Sequence, residues 1–104
     1  MESKHKVFWS DESKSDLEDI FDFYSSYSLQ YAENLIESLL SRESQLTTYP
    51  SSGTYQNFEV LNQKYRYLVE GKFKIIYHIR EEEQLVYVNT VFDTRQSPST
   101  LRLD

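Results

Sequence analysis

Cysteine is absent from the 104 residues, which removes disulfide staples, thiolate metal sites and a cysteine nucleophile, and which fits a reducing compartment. Glycine and proline occur only twice each, too few for a low-complexity or disordered chain. The two histidines, His5 and His78, offer little for a metal centre. No apolar run approaches the roughly 18 residues of a membrane span, and Met-Glu-Ser-Lys-His-Lys at the start lacks the apolar stretch of a signal peptide. A cytoplasmic chain without a membrane partner is therefore expected. No G-x-x-x-x-G-K-[ST], G-x-S-x-G or H-E-x-x-H motif occurs, so no nucleotide, metal or other cofactor is expected.

Positive charge is also short. Eleven Lys and Arg face 17 Asp and Glu, a net −6, and all of the excess acid lies in residues 1–50, while residues 51–104 are balanced. Broad nucleic-acid binding, which draws its affinity from neutralised phosphates, is disfavoured over the whole surface but not on one local face. What is abundant is apolar and aromatic material, 38% and 15% of the chain. That content supports one core and one domain over residues 1–104.

Lys6-Val7-Phe8-Trp9 is a short β-prone run, and Ser10 after it is a helix N-cap type. From Asp11 the acidic first turn and the spacing of Leu17, Ile20, Phe21, Tyr24 and Tyr27 predict a helix of about 17 residues with one buried stripe. Ser28 is a second cap. Ala32, Leu35, Ile36, Leu39, Leu40 and Leu46 extend a second helix for about 20 residues, until Tyr49-Pro50-Ser51-Ser52-Gly53 stops it. Alternation follows in Lys64–Val69 and Lys72–Arg80, separated by Glu70-Gly71 as a two-residue turn, and then in Leu85–Phe92. The expected class is α+β: an N-terminal strand and a long helical hairpin packed on a small antiparallel sheet, in the order β-α-α-β-β-β.

On the third strand of this reading Phe73, Ile75, Tyr77 and Ile79 face the core, and Lys72, Lys74, Ile76, His78 and Arg80 form a wet, basic face. Tyr65 and Tyr67 are assigned to the hydrophobic side, and Tyr24, Tyr27, Tyr31 and Tyr49 to the hairpin core rather than to a base-stacking platform. Residues 64–80 hold five basic side chains against one acidic, a local patch on an acidic body. Such a patch reads either as ordinary edge protection or as a surface for phosphates or an acidic partner.

The order of elements, with Trp9-Ser10, Asp16-Leu17-Glu18-Asp19-Ile20, Tyr49-Pro50-x-x-Gly53, Tyr65-Arg66-Tyr67-Leu68, Lys74-Ile75-Ile76-Tyr77 and Val91-Phe92-Asp93-Thr94-Arg95-Gln96-x-Pro98, resembles the RelE/ParE superfamily of bacterial toxins over about Val7 to Leu101. The resemblance implies the growth-arresting, plasmid-stabilising toxin of a type II toxin–antitoxin module, bound and silenced by a cognate antitoxin. It leaves two targets open. Members similar to ParE inhibit DNA gyrase by protein contact; members similar to RelE cut mRNA on the ribosome without a metal.

By motif position the resemblance implies Lys64, Arg66, Lys74 and Arg95 as catalytic residues if the chain is an mRNA endonuclease. Lys72, His78, Arg80, Asp93 and Gln96 are implied contacts to the target or the antitoxin. The C-terminal Tyr of RelE-like nucleases has no counterpart, and Asp93 stands where ParE-like sequences often have His. The acidic total, the long hairpin and the missing Tyr favour the gyrase reading, whereas the basic strand pair and Arg95 favour the nuclease. A non-catalytic protein-interaction domain is the third alternative.

Overall fold

A single hydroxyl joins the first strand to the first helix. Ser10 Oγ accepts from Ser13 N at 3.0 Å and donates to the Asn89 carbonyl at 3.0 Å, so the helix cap is also a bolt to the sheet. The structure, a computed structural model, describes residues 4–56 and 64–94. Strand β1 (Lys6–Trp9) leads through Ser10 into α1 (Asp11–Ser25), whose first turn carries Asp11 and Glu12 where the helix dipole favours acid. Ser28 caps α2 (Leu29–Leu40) by accepting from Tyr31 N at 3.2 Å. After α3 (Glu43–Thr48) and a 3₁₀ turn come β2 (Thr54–Gln56), β3 (Tyr65–Glu70), β4 (Phe73–Arg80) and β5 (Leu85–Asp93).

The five strands form one sheet in the order β1-β5-β4-β3-β2, with β1 parallel to β5 and the other pairs antiparallel. The sheet is thus mixed: β2, the first strand after the helical hairpin, runs opposite to β1, and three antiparallel reversals later β5 lies parallel to β1. Leu17, Leu39 and Leu46 of the helices pack on Leu68, Phe73, Ile75, Tyr77, Val86, Val88 and Val91 of the sheet to make the core. No helix among the described residues is long and apolar enough to cross a membrane.

Four departures from the sequence reading have physical causes. The expected 20-residue helix breaks at Ser41-Arg42 into α2 and α3. Ser41 Oγ turns back onto the Ser38 carbonyl at 2.7 Å, and Arg42 reaches to the sheet, donating to Glu70 Oε1 at 2.8 Å and to the Val69 carbonyl at 2.9 Å. The strand β2 is too short and polar to announce itself. Tyr27, Tyr31 and Tyr49 are exposed, at 77%, 49% and 59%, and only Tyr24 is half-buried. Helix α1 ends before Tyr27, Tyr31 sits in the first turn of α2, and Tyr49 lies past the end of α3, so all three leave the buried stripe.

The fourth departure concerns β3. Gly71, with φ +59°, and Lys72 form the turn, so that Glu70 faces Phe73, Arg66 faces Tyr77 and Tyr67 faces Ile76. A two-residue hairpin loop pairs even positions of one strand with odd positions of the next, which puts Arg66 on the helix side and Tyr65 and Tyr67 on the open face. Tyrosine, apolar along its ring and polar at its tip, is content there.

Gly53 shows how tightly the helix-to-sheet crossover is held. The Tyr77 hydroxyl donates to the Pro50 carbonyl at 2.6 Å and accepts from Gly53 N at 3.0 Å. A Cβ on Gly53 would lie 2.3 Å from that hydroxyl and 2.8 Å from the Tyr67 carbonyl oxygen. Gly53→Ala is therefore expected to cost about 1–3 kcal/mol by overpacking. Tyr77→Phe should cost about 1–2 kcal/mol by stranding both backbone groups. Urea unfolding of the double variant should fall short of the sum, because removing the hydroxyl relieves the closer clash; full additivity would refute the contact.

Candidate functional site

Strand β4 carries most of the candidate residues, and its two faces have different fates. On the helix side Tyr77 is wholly buried, and burial raises its phenol above the usual tyrosine range, so it stays a neutral hydrogen-bond donor. Arg66, opposite it, is bound to the neighbouring turn through both terminal nitrogens. Its guanidinium donates to the Ser51 carbonyl at 3.1 Å, the Gly53 carbonyl at 3.0 Å and Tyr55 Oη at 2.8 Å, and lies 4.0 Å from the Tyr55 ring centre. A side chain with these partners fastens the Pro50–Gly53 turn to β3.

The open face is less wet than expected. Ile76 and His78 are buried there, at 0% and 1% exposure. The rings of Tyr65 and Tyr87 flank the imidazole at 5.7 and 5.1 Å between centres, and Phe8 stacks on Tyr87 at 5.3 Å. Basic groups lie along this aromatic paving: Lys74 Nζ is 4.1 Å from the Tyr67 ring centre and the Arg80 guanidinium 4.6 Å from that of Tyr87. Each such pair contributes about 0.5–1 kcal/mol when exposed and fixes where the charge sits. Lys72, in the turn, lies 4.7 Å from the Tyr24 ring centre, and Lys64 is exposed just before β3.

Of the candidate catalytic residues, Arg66 and Lys74 lie on opposite faces of the sheet. Arg66 shares a face with Tyr77, whereas Lys74 shares the opposite face with Val69 and Phe92. Arg95 and Gln96 lie outside the described residues. Asp93 ends β5 beside a groove of about 600 Å³ on the helix side, lined with Asp16, Asp19, Ile20, Phe23, Tyr24 and Phe73. A second hollow of about 330 Å³, between Tyr31, Leu35, Ser38 and the Glu70–Phe73 turn, lies across the Tyr24–Phe73 contact. Among the described residues no group of three His, Asp or Glu side chains could hold a metal ion.

His78 is the most constrained of the candidates. Its Nε2 accepts from Arg80 Nε at 3.1 Å, which leaves Nδ1 to donate to Asn89 Oδ1 at 2.8 Å. Burial pushes its pKa below the usual histidine value, the Asn89 bond opposes that shift, and the Arg80 charge adds to it. Asn89 was not foreseen. It is the extra residue of a β-bulge, since Ile76 faces Thr90 while Tyr77 faces Val88, and without that bulge Val91 would point away from the core. A polar residue inside an apolar strand was its only sequence signal. Asp16, which opens the Asp16-Leu17-Glu18-Asp19-Ile20 motif, accepts from Thr90 Oγ1 at 2.5 Å and Val91 N at 3.0 Å, holding α1 to β5.

Comparison with known proteins bears on this geometry. The model of the ParE toxin of the type II toxin–antitoxin system, parDE, matches residues 7–98. The chain belongs to the ParE toxin family. Among solved structures this ParE-family chain is similar to one from the chromosomal ParDE TA system of P. aeruginosa, at 14% identity and TM-score 0.73 over 88% of this chain and 98% of that one. It is also similar to a chain of the toxin–antitoxin complex RelBE2 from Mycobacterium tuberculosis, at 14% identity and TM-score 0.67, covering 89% and 94% respectively. No curated protein sequence matches. The expected toxin fold is thereby established for this ParE-family chain.

The His78 geometry makes a pH prediction. Below about pH 6.5 the unfolded chain takes up a proton that the buried imidazole resists, so the stability His78 contributes is fully present above that pH and is lost as pH falls. The urea midpoint of the wild type should drop between about pH 7 and pH 5 by more than that of His78→Gln. Equal slopes would contradict a depressed pKa at His78.

Proposed function

We propose that this chain is a growth-arresting toxin that acts in the cytoplasm as one domain over residues 1–104, is neutralised by a cognate antitoxin, and inhibits DNA gyrase by protein binding. The family model supports the toxin role, and the similar solved structures come from a ParDE TA system and the RelBE2 toxin–antitoxin complex. The observation that carries the choice of target is the fate of Arg66. Phosphodiester cleavage by a 2′-hydroxyl needs cations free to meet the developing charge of the phosphorane. Arg66 instead gives its guanidinium to two turn carbonyls and Tyr55, and Lys74 is on the other face. Binding asks less of the residues: a shaped, charged surface suffices.

Ribosome-dependent mRNA cleavage is the second reading, favoured by one observation. Lys74 and Arg80 lie over Tyr67 and Tyr87 on one sheet face, an arrangement of cations and rings on which single-stranded RNA can stack.

Purified protein added to a gyrase supercoiling reaction should inhibit it without cutting DNA or RNA, and transcripts mapped within minutes of induction should remain intact. Arg66→Ala should lower the unfolding midpoint while leaving gyrase inhibition by the folded fraction largely in place. Codon-phased cuts in translated messages, abolished by Lys74→Ala, would replace this reading with the nuclease. Neither inhibition nor cleavage would leave a plain interaction domain.

A further inference from the structure

On the open face the direction of Arg80 is set by a chain of hydrogen bonds as well as by a ring. Asn89 is 1% exposed, and its Oδ1 fixes the imidazole of His78 with the proton on Nδ1. The lone pair this leaves on Nε2 holds the Arg80 Nε–H. The Tyr87 ring, which also stacks with Phe8, has its centre 4.6 Å from the guanidinium carbon. Arg80 is nonetheless exposed, and its Nε alone is used by His78, so the fork of terminal N–H groups remains for a planar, bidentate acceptor. Phe8, stacked on the same Tyr87 ring, is 46% exposed and adds apolar surface to this face.

We propose that Arg80 receives a carboxylate from an acidic segment of a protein partner, and that His78, oriented by Asn89, is the positioning residue that aims it. The proposal rests on the protein-binding reading above for the class of partner. The arrangement explains a buried histidine on a face that needs none for packing. A solvent-exposed arginine samples many rotamers and loses that freedom on binding, whereas one held at Nε and stacked on a ring has lost much of it already. The groups that face His78 are Arg80 on its own strand, Tyr65 from β3, and Asn89 and Tyr87 from β5. Protonation of His78 replaces the acceptor at Nε2 with a second donor beside a guanidinium, so the relay breaks on acidification.

The test follows the Arg80 Nε–H resonance of the full chain by nitrogen-15 NMR, with a glutamate decapeptide and a deoxythymidine decamer as probes. In the wild type at neutral pH the signal is expected in slow exchange with water. It should move on addition of the peptide and broaden out on acidification. His78→Gln, whose side-chain oxygen falls near the Nε2 position, should restore the slow exchange, remove the acid sensitivity and keep most of the peptide affinity. His78→Asn, which reaches only Asn89, should lose the signal and at least tenfold in peptide affinity at an unfolding midpoint no lower than that of His78→Gln. Arg80→Lys, which keeps the charge without the fork, should lose as much.

Fast exchange in the wild type, or parallel behaviour of the two His78 variants, would overturn the positioning role. Saturation by the decamer with no peptide shift would replace the carboxylate with a phosphate source and overturn the partner. These signals are read whether or not the protein inhibits gyrase, so a failed supercoiling test and a failed relay are separate results.

Discussion

The fold turns on one extra residue in β5. Asn89 has no opposite number on β4, and the bulge it makes restores Val91 to the core after Val86 and Val88. Its carbonyl takes the Ser10 hydroxyl that caps α1, and its side chain takes the imidazole of His78 on the far side of the sheet. Helix start, sheet twist and open face are therefore coupled through a single backbone irregularity. Such coupling is why a bulge persists where an uninterrupted ladder would have one more pair of residues.

Charge is divided between the two sides of that sheet. The helix-side groove carries Asp16, Asp19 and Asp93, with Glu18 and Asp22 exposed on the same helix. The open face carries Lys74 and Arg80 on aromatic rings. Net charge describes neither. A body of −6 still presents a basic face, because neutralisation is a property of neighbours within about 10 Å rather than of the whole chain.

Much of this was legible in the residues. The strand, the two helix caps, the hairpin and the alternation of β4 follow from local chemistry: a serine hydroxyl at a helix start, a 3.6-residue apolar period, a glycine with positive φ at a turn. What was not legible depends on partners far away in the chain. Arg66 looks like a free cation until the turn at Ser51–Gly53 is folded beside it. Tyr65 and Tyr67 were assigned by hydrophobicity, but hairpin parity decides which face they take. The break at Ser41-Arg42 needed Glu70, 28 residues on, to receive the arginine. Asn89 gave only the hint of a polar residue in an apolar strand.

The parallel pairing of β1 with β5 also sets an order in time. Residues 6–9 have no strand to join until residues 85–93 have been synthesised, and the Ser10 cap lacks its second partner for as long. A nascent chain can form its helical hairpin early, since those contacts are local, but the sheet closes last and over the greatest separation. The His78–Arg80 face, which also requires β5, comes into being at the same moment. This face therefore forms only after β5 has been made, later than the local contacts of the helical hairpin.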